Sequence, residues 1–181
     1  MWDDVVLFAA VGFAAQLVDG AIGMAYGVSA TSVLLSLGIA PAMASASVHA
    51  AEVFTTGASG LAHWRAGNVR REVMWRLALP GMIGGAAGAY VLSGLPGETI
   101  RPAISAYLLL IGATILAKAL RGPRVPPAQP RHVPALGLVG GFLDAVGGGG
   151  WGPLGVSTLN GGGGSPRYRN GSVNAARVFV S

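Results

Sequence analysis

Three stretches of this chain, Met43–His63, Val73–Leu95 and Ile100–Leu120, are each apolar for about the 20 residues that a helix needs to cross a ~30 Å hydrocarbon layer. The basic residues gather between these stretches rather than along them. With 10% of its 181 residues charged and 52% hydrophobic, the chain cannot cover a water-soluble surface, for which roughly 25% charge is usual. Glycine is abundant, at 30 residues, but follows no collagen period. The net charge of +5 comes from short clusters between apolar runs and is no nucleic-acid footprint. There is no cysteine, which excludes disulfides, thiolate metal sites and a cysteine nucleophile. The amino terminus, Met1-Trp2-Asp3-Asp4, is acidic where an export signal carries lysine or arginine, so the first apolar run is expected to stay in the mature chain.

That first run, Val5–Gly38, holds 34 residues and is interrupted by Asp19-Gly20-Ala21-Ile22-Gly23. It is too long for one span, and two arms of about 14 residues would each rise only ~21 Å. It reads as a broken-helix hairpin that enters the membrane and returns. Arg65, Arg70, Arg71 and Arg76 form one basic cluster, and Lys118, Arg121, Arg124 and Arg131 form another, two spans away. Both therefore fit on the cytoplasmic side.

The second half restarts the first. Gly12 recurs as Gly140, and Gly27-Val28-Ser29 as Gly155-Val156-Ser157, both 128 positions on. After a three-residue deletion Pro41 matches Pro166, and Ser47–Phe54 matches Ser172–Phe179 with six of eight positions identical. A hairpin and three spans make five passages, so the second unit starts on the opposite side of the membrane, as in the inverted repeats of secondary transporters. Ten of the twelve basic residues then lie inside. The sequence thus predicts an all-α, multi-pass integral protein of the cell inner (plasma) membrane. Its plan is an inverted repeat of a broken-helix hairpin plus transmembrane helices. The first transmembrane repeat covers 1–120, a cytoplasmic Pro/Arg linker 121–134, and the start of a second, incomplete repeat 135–181.

Two features could carry chemistry. The hairpin tips, Asp19–Gly23 and Gly147–Pro153, free backbone groups that lipid cannot satisfy. The helix leaving each tip offers N–H groups and a dipole that favour anions. Tight packing is the competing role for those glycines. The second feature is a polar stripe, Ser45, His49, Glu52, Thr56, Ser59 and His63, spaced for one helix face and matched in the second unit by Asn170, Asn174, Arg177 and Ser181. Ionisable groups in a membrane helix mark a pathway or proton relay by default; interhelical hydrogen bonding is the plainer alternative. Candidate substrate-binding residues are Gly20, Gly23, Ser29, His49, Gly149, Gly150, Trp151, Gly152, Ser157 and Asn174. Candidate proton-coupling or ion-pair residues are Asp19, Glu52, Asp144 and Arg177. Asp144 and Gln16 are read as equivalent positions before the tips, and Asp19 as a cap for the arm that follows or a proton carrier. Glu52 and Arg177 are repeat-related and expected to pair. No catalytic residue is assigned, because no nucleophile–base pair stands out, and no ATP motif is present. A zinc site from His49, Glu52 and His63 is disfavoured, since His63 lies about four turns beyond His49. Gly81, Gly84, Gly85 and Gly88 form small-residue pairs suited to close helix packing.

The residues Gly12-Phe13 through Asp19-Gly20 and Gly23, with Gly140-Gly141-Phe142-Leu143-Asp144 and Gly148-Gly149-Gly150-Trp151-Gly152-Pro153, resemble the TauE/SafE sulfite exporter family of membrane permeases. Ser172-Val173-Asn174-Ala175-Ala176 is similar to that family's second-repeat helix. The resemblance implies a secondary permease for sulfite, sulfate, thiosulfate or an organosulfonate, without cofactor. Its expected partners are the bilayer and a small anion, not nucleic acid; self-association into a homo-oligomer stays open. Carriage of another small ion through Glu52 and His49, or a non-transporting membrane subunit, are the alternatives. Arg177 and the glycine run Asn160–Gly164 depart from the family's pattern. Ser181 falls inside the helix equivalent to Met43–His63, so either a longer parent protein or a shorter product is expected.

Overall fold

The computed structural model describes residues 2–22, 25–121, 132–152 and 166–181. Those residues form seven helices and no strand: α1 (Trp2–Ile22), α2 (Tyr26–Ser36), α3 (Pro41–Arg65), α4 (Arg71–Gly94), α5 (Gly97–Arg121), α6 (Val133–Gly147) and α7 (Pro166–Arg177). Three expected spans are found as α3, α4 and α5. Of these, α4 and the Gly97–Ala117 part of α5 are long and apolar enough to cross a membrane on length and composition alone. The α3 helix is long enough, at 25 residues, but carries the polar stripe. Most of the 121–134 linker lies outside the described residues.

The first apolar run is broken, as its length required, but unevenly. Helix α1 runs 21 residues and α2 only 11, about 16 Å of rise for the second arm. The two arms are therefore not the equal pair that the run's length suggested. The break follows Ile22 instead of opening at Asp19. A glycine such as Gly20 costs a helix only about 1 kcal/mol, and the Asp19 carboxylate is used beyond the break rather than within it. The far end of α2 is closed by Arg101 of α5, whose guanidinium donates to the Leu35 carbonyl at 2.5 Å. A cation there also suits the helix dipole.

Burial is inverted relative to a soluble protein. Phe13, Phe54, Tyr90, Leu109 and Leu120 are 69–81% exposed, while Glu52, Asp144 and Thr31 are at most 1% exposed and Arg177 is 9% exposed. An apolar outside and a charged inside is what a hydrocarbon solvent selects. One apolar cluster joins α1 through α5, with Val28, Leu34, Val48, Leu92, Ile104 and Leu108 among its members. A second joins α4 to α7 around Trp151, with Met74, Leu77, Val173 and Ala176.

The closest helix contact is between α4 and α6, and glycine makes it. A methyl group added at Gly84 or Gly88 of α4 would strike the Leu138 or Phe142 carbonyl. One added at Gly137 or Gly141 of α6 would strike the carbonyl of Leu77 or Gly81. Backbones pack directly on backbones, the small-residue mode that association in lipid favours. The small-residue pairs read from α4 thus have α6 as their partner.

Gly84→Ala should lower the thermal unfolding midpoint in detergent by an amount equivalent to about 1–3 kcal/mol, because the obstructing atom is backbone. Gly57→Ala in α3, where nothing lies within 4 Å, should be neutral or stabilise by about 0.5–1 kcal/mol. An equal response of the two variants would contradict the seam.

Candidate functional site

Each helix break is closed by a carboxylate from the preceding helix. The backbone N–H groups of Ala25 and Tyr26, at the start of α2, donate to Asp19 Oδ1 at 2.6 and 2.9 Å. Those of Gly150 and Trp151, after α6, donate to Asp144 Oδ1 at 2.6 and 2.8 Å. In both cases the donors stand six and seven residues after the aspartate. The equivalent of Asp144 is therefore Asp19, not Gln16. This pairing has an offset of 125, the same as that relating Pro41 to Pro166 and Ser47 to Ser172. At that single offset Gly12 meets Gly137, Tyr26 meets Trp151 and Gly27 meets Gly152. No three-residue deletion is needed, and the pairing of Gly27–Ser29 with Gly155–Ser157 is replaced. The shared signature is an aspartate followed seven residues later by an aromatic residue and a glycine.

These caps change what the tips can do. Two backbone N–H groups at each break, of the kind proposed from sequence as anion donors, already donate to the protein's own aspartates. Gly150 and Trp151 donate to Asp144, and Gly20 lies inside α1. Gly149 is pressed against the backbone of Gly27 and Val28, where a side chain on either glycine would collide. Gly148 has a left-handed backbone, φ +64°, and its carbonyl accepts from Thr31 Oγ1 at 3.2 Å. Tyr107 of α5 donates to the Gly149 carbonyl at 3.4 Å, and Ser45 to the Ala145 carbonyl at 2.6 Å. The freed carbonyls of the second break thus find partners on α2, α3 and α5. Trp151 is buried, its indole N–H 3.3 Å from the Val173 carbonyl of α7. Gly23 and Ser157 lie outside the described residues. Ser29 sits in the first turn of α2 and is not part of the lining of the cavity beside the charged cluster.

The polar stripes of α3 and α7 face each other. Arg177 Nη2 donates to Glu52 Oε1 at 2.5 Å, and Asn174 Nδ2 to Ser59 Oγ at 3.2 Å. The expected Glu52–Arg177 pair is therefore formed between the two helices. Arg177 also lies 3.8 Å from Asp144 Oδ1. The second Glu52 oxygen stands 3.5 Å from His49 Nδ1, and the Ser181 hydroxyl donates to it at 3.4 Å. His49 Nε2 is 3.2 Å from the Asp144 carbonyl. Ser45 and His49 thus turn toward the end of α6.

A cavity of about 610 Å³ opens beside this cluster. Its wall includes Asp19 and Tyr26 at the first break, Trp151 and Gly152 at the second, and Glu52, Ser59, His63, Arg167, Asn170, Asn174 and Arg177 from the two stripes. Sequence reasoning read Asn170 only as part of the polar stripe and missed Tyr26 and Arg167 as site residues; the signal for Tyr26 is its match to Trp151, visible at the offset of 125. Among the described residues, four buried side-chain atoms have no hydrogen-bond partner: His49 Nδ1, Asp144 Oδ2, Asn170 Oδ1 and Arg177 Nε. All four belong to the cavity wall or to the charged cluster beside it. Donor atoms of His49, Glu52 and Asp144 come within 4.8 Å of one another. The Arg177 guanidinium already stands against both carboxylates and supplies the positive charge a cation would bring.

Glu52→Gln leaves the buried Arg177 charge with only the more distant Asp144 carboxylate, 3.8 Å away, and should cost up to about 3–5 kcal/mol of stability. The double variant Glu52→Gln/Arg177→Gln should cost less than Glu52→Gln alone, read from unfolding midpoints in detergent. An equal loss in the two would count against the pair. Removing the first cap with Asp19→Ala should cost about 0.5–2 kcal/mol by the same measurement.

The family model described as "Sulfite exporter TauE/SafE" matches residues 8–181. The "Probable membrane transporter protein YtnM" of Bacillus subtilis (strain 168) is 46% identical over 184 residues. That match takes in 97% of this chain and 61% of the relative, so the chain spans about three-fifths of that protein's length. No solved structure matches the chain. With its capped helix breaks, its buried ion pair and a family match over nearly its whole length, the chain belongs to the TauE/SafE sulfite exporter family of integral membrane proteins.

Proposed function

We propose that the protein is a secondary permease for a small sulfur-containing anion such as sulfite or an organosulfonate. The observation that carries this reading is the polar cavity between α1, α3 and α7, bordered by both helix breaks and containing Arg177. A cavity of this kind, inside a shell whose exposed face is apolar, is costly to maintain unless something polar passes through it. Its side-chain amides, hydroxyls and guanidiniums can donate to the oxygens of a tetrahedral or pyramidal oxyanion. The charge-assisted bonds from arginine are the strongest of these.

The family's description and the relative's name support transport, and the family's name points to sulfite. In this reading the two repeat units are oppositely oriented and rock about the cavity to expose it to each side in turn. Broken helices suit that motion, because a helix can pivot where its backbone ladder is interrupted. The driving force is a proton gradient or the membrane potential. The protein resides in the plasma membrane as a multi-pass chain.

Proteoliposomes containing the intact protein should accumulate radiolabelled sulfite, and excess unlabelled sulfite or methanesulfonate should suppress that uptake. Uptake no greater than in protein-free vesicles, or uptake that neither competitor reduces, would sink the sulfur-anion assignment.

A further inference from the structure

Resting on that reading of the cavity, the charges around Arg177 carry it one step further. The titratable and charged groups facing Glu52 and Arg177 come from five helices, while α4, which packs against α7, brings none among the described residues. They are Asp19 from α1, Tyr26 from α2, His49 and His63 from α3, Asp144 from α6 and Arg167 from α7. With the histidines neutral, three carboxylates stand against two guanidiniums. An incoming anion therefore finds no net attraction while Glu52 is ionised. Arg177 is nonetheless the cation best placed to receive it. It lines the cavity, is nine-tenths buried, and keeps its Nε without a partner.

The two carboxylates near Arg177 differ in freedom. Asp144 is tied by two backbone N–H groups of the helix break, at 2.6 and 2.8 Å, and cannot leave without uncapping it. Among the described residues, Glu52 holds no backbone group through its carboxylate. Its partners are the guanidinium, a hydroxyl at 3.4 Å and the imidazole at 3.5 Å, all side chains that can rotate. Glu52 is the one that can yield. A buried carboxylate parted from its guanidinium takes up a proton rather than stay bare. His49 Nδ1, also without a hydrogen-bond partner, lies beside it to share or deliver that proton.

We propose that Arg177 is the anion ligand of this cavity, that Glu52 occupies it as a counter-ion when no anion is bound, and that an anion replaces Glu52 only as a proton enters the Glu52–His49 pair. Anion and proton then bind together and cross together. The exchange also breaks the direct ionic tie between α3 and α7, loosening the contact that the two units must shift.

The test uses the intact protein in detergent, with sulfite, sulfate and methanesulfonate as probes; the last two do not change charge near neutral pH. In weakly buffered solution with a pH indicator, binding should take up about one proton per anion. Affinity should fall toward tenfold per pH unit on the alkaline side, as one-proton linkage requires. Arg177→Gln should weaken binding at least about tenfold, losing a charge-assisted bond worth about 1.5–3 kcal/mol. Glu52→Gln should bind with no proton uptake and no pH dependence, and the anion should raise its unfolding midpoint more than that of the wild type. The folding control Glu52→Gln/Arg177→Gln should stay folded and not bind. Wild-type affinity in Arg177→Gln, binding without proton uptake in the wild type, or a requirement for sodium would each overturn the proposal while leaving anion transport intact. If Glu52→Gln does not fold, the wild-type proton count decides alone. Binding of none of the three probes by the wild type would overturn this proposal and the permease reading together.

Discussion

A helix that stops inside hydrocarbon leaves backbone N–H groups that neither lipid nor the next turn can satisfy. In this protein both breaks are closed in the same way, by an aspartate of the preceding helix that accepts from two backbone N–H groups six and seven residues further on. Everything at the centre is arranged around that requirement. Each cap brings a negative charge into the interior, and a buried charge demands a counter-charge. Arg177 stands near Asp144 and pairs with Glu52, so the same guanidinium that balances one break also binds α7 to α3.

Close packing makes this arrangement possible. The α4–α6 seam has glycine where any side chain would meet a carbonyl, and Gly27 and Gly149 let the two breaks lie backbone to backbone. Carbonyls exposed by the second break then come within reach of Thr31, Ser45 and Tyr107 on three different helices. Those three side chains are separated widely in sequence. They act together only because the glycines allow the segments to meet.

Much of the site could be read in the residues themselves. A run too long for one span and too short for two had to break, and it does. The α3 stripe and its α7 counterpart follow helical spacing, and their midpoints, Glu52 and Arg177, form the pair that repeat equivalence suggested. The register of the first part of the repeat was misread. The glycine-rich segments align with one another at several offsets, and short glycine matches such as Gly12 with Gly140 carry little information. Hydrogen bonding removes the ambiguity, because only Asp19 and Asp144 stand the same distance before their acceptor-seeking N–H groups. For the tip glycines the sequence left anion binding and tight packing both open, since it shows that N–H groups are freed but not which carboxylate takes them.

By itself the sequence determined the solvent, the helical class and the need for broken helices, because hydropathy and length act locally along the chain. It also determined which polar residues share a face, since helical periodicity places them there. Only the tertiary structure decided which charges neutralise which, that the break N–H groups are spoken for, and that Arg167, Asn170 and Tyr26 share one cavity with Glu52 and Arg177. The caps are closed within seven residues, but the ion pairing and the shared cavity depend on distances between segments more than a hundred residues apart. They are set by how closely the glycine-bearing helices approach, a property of the packed assembly that no single stretch of chain contains.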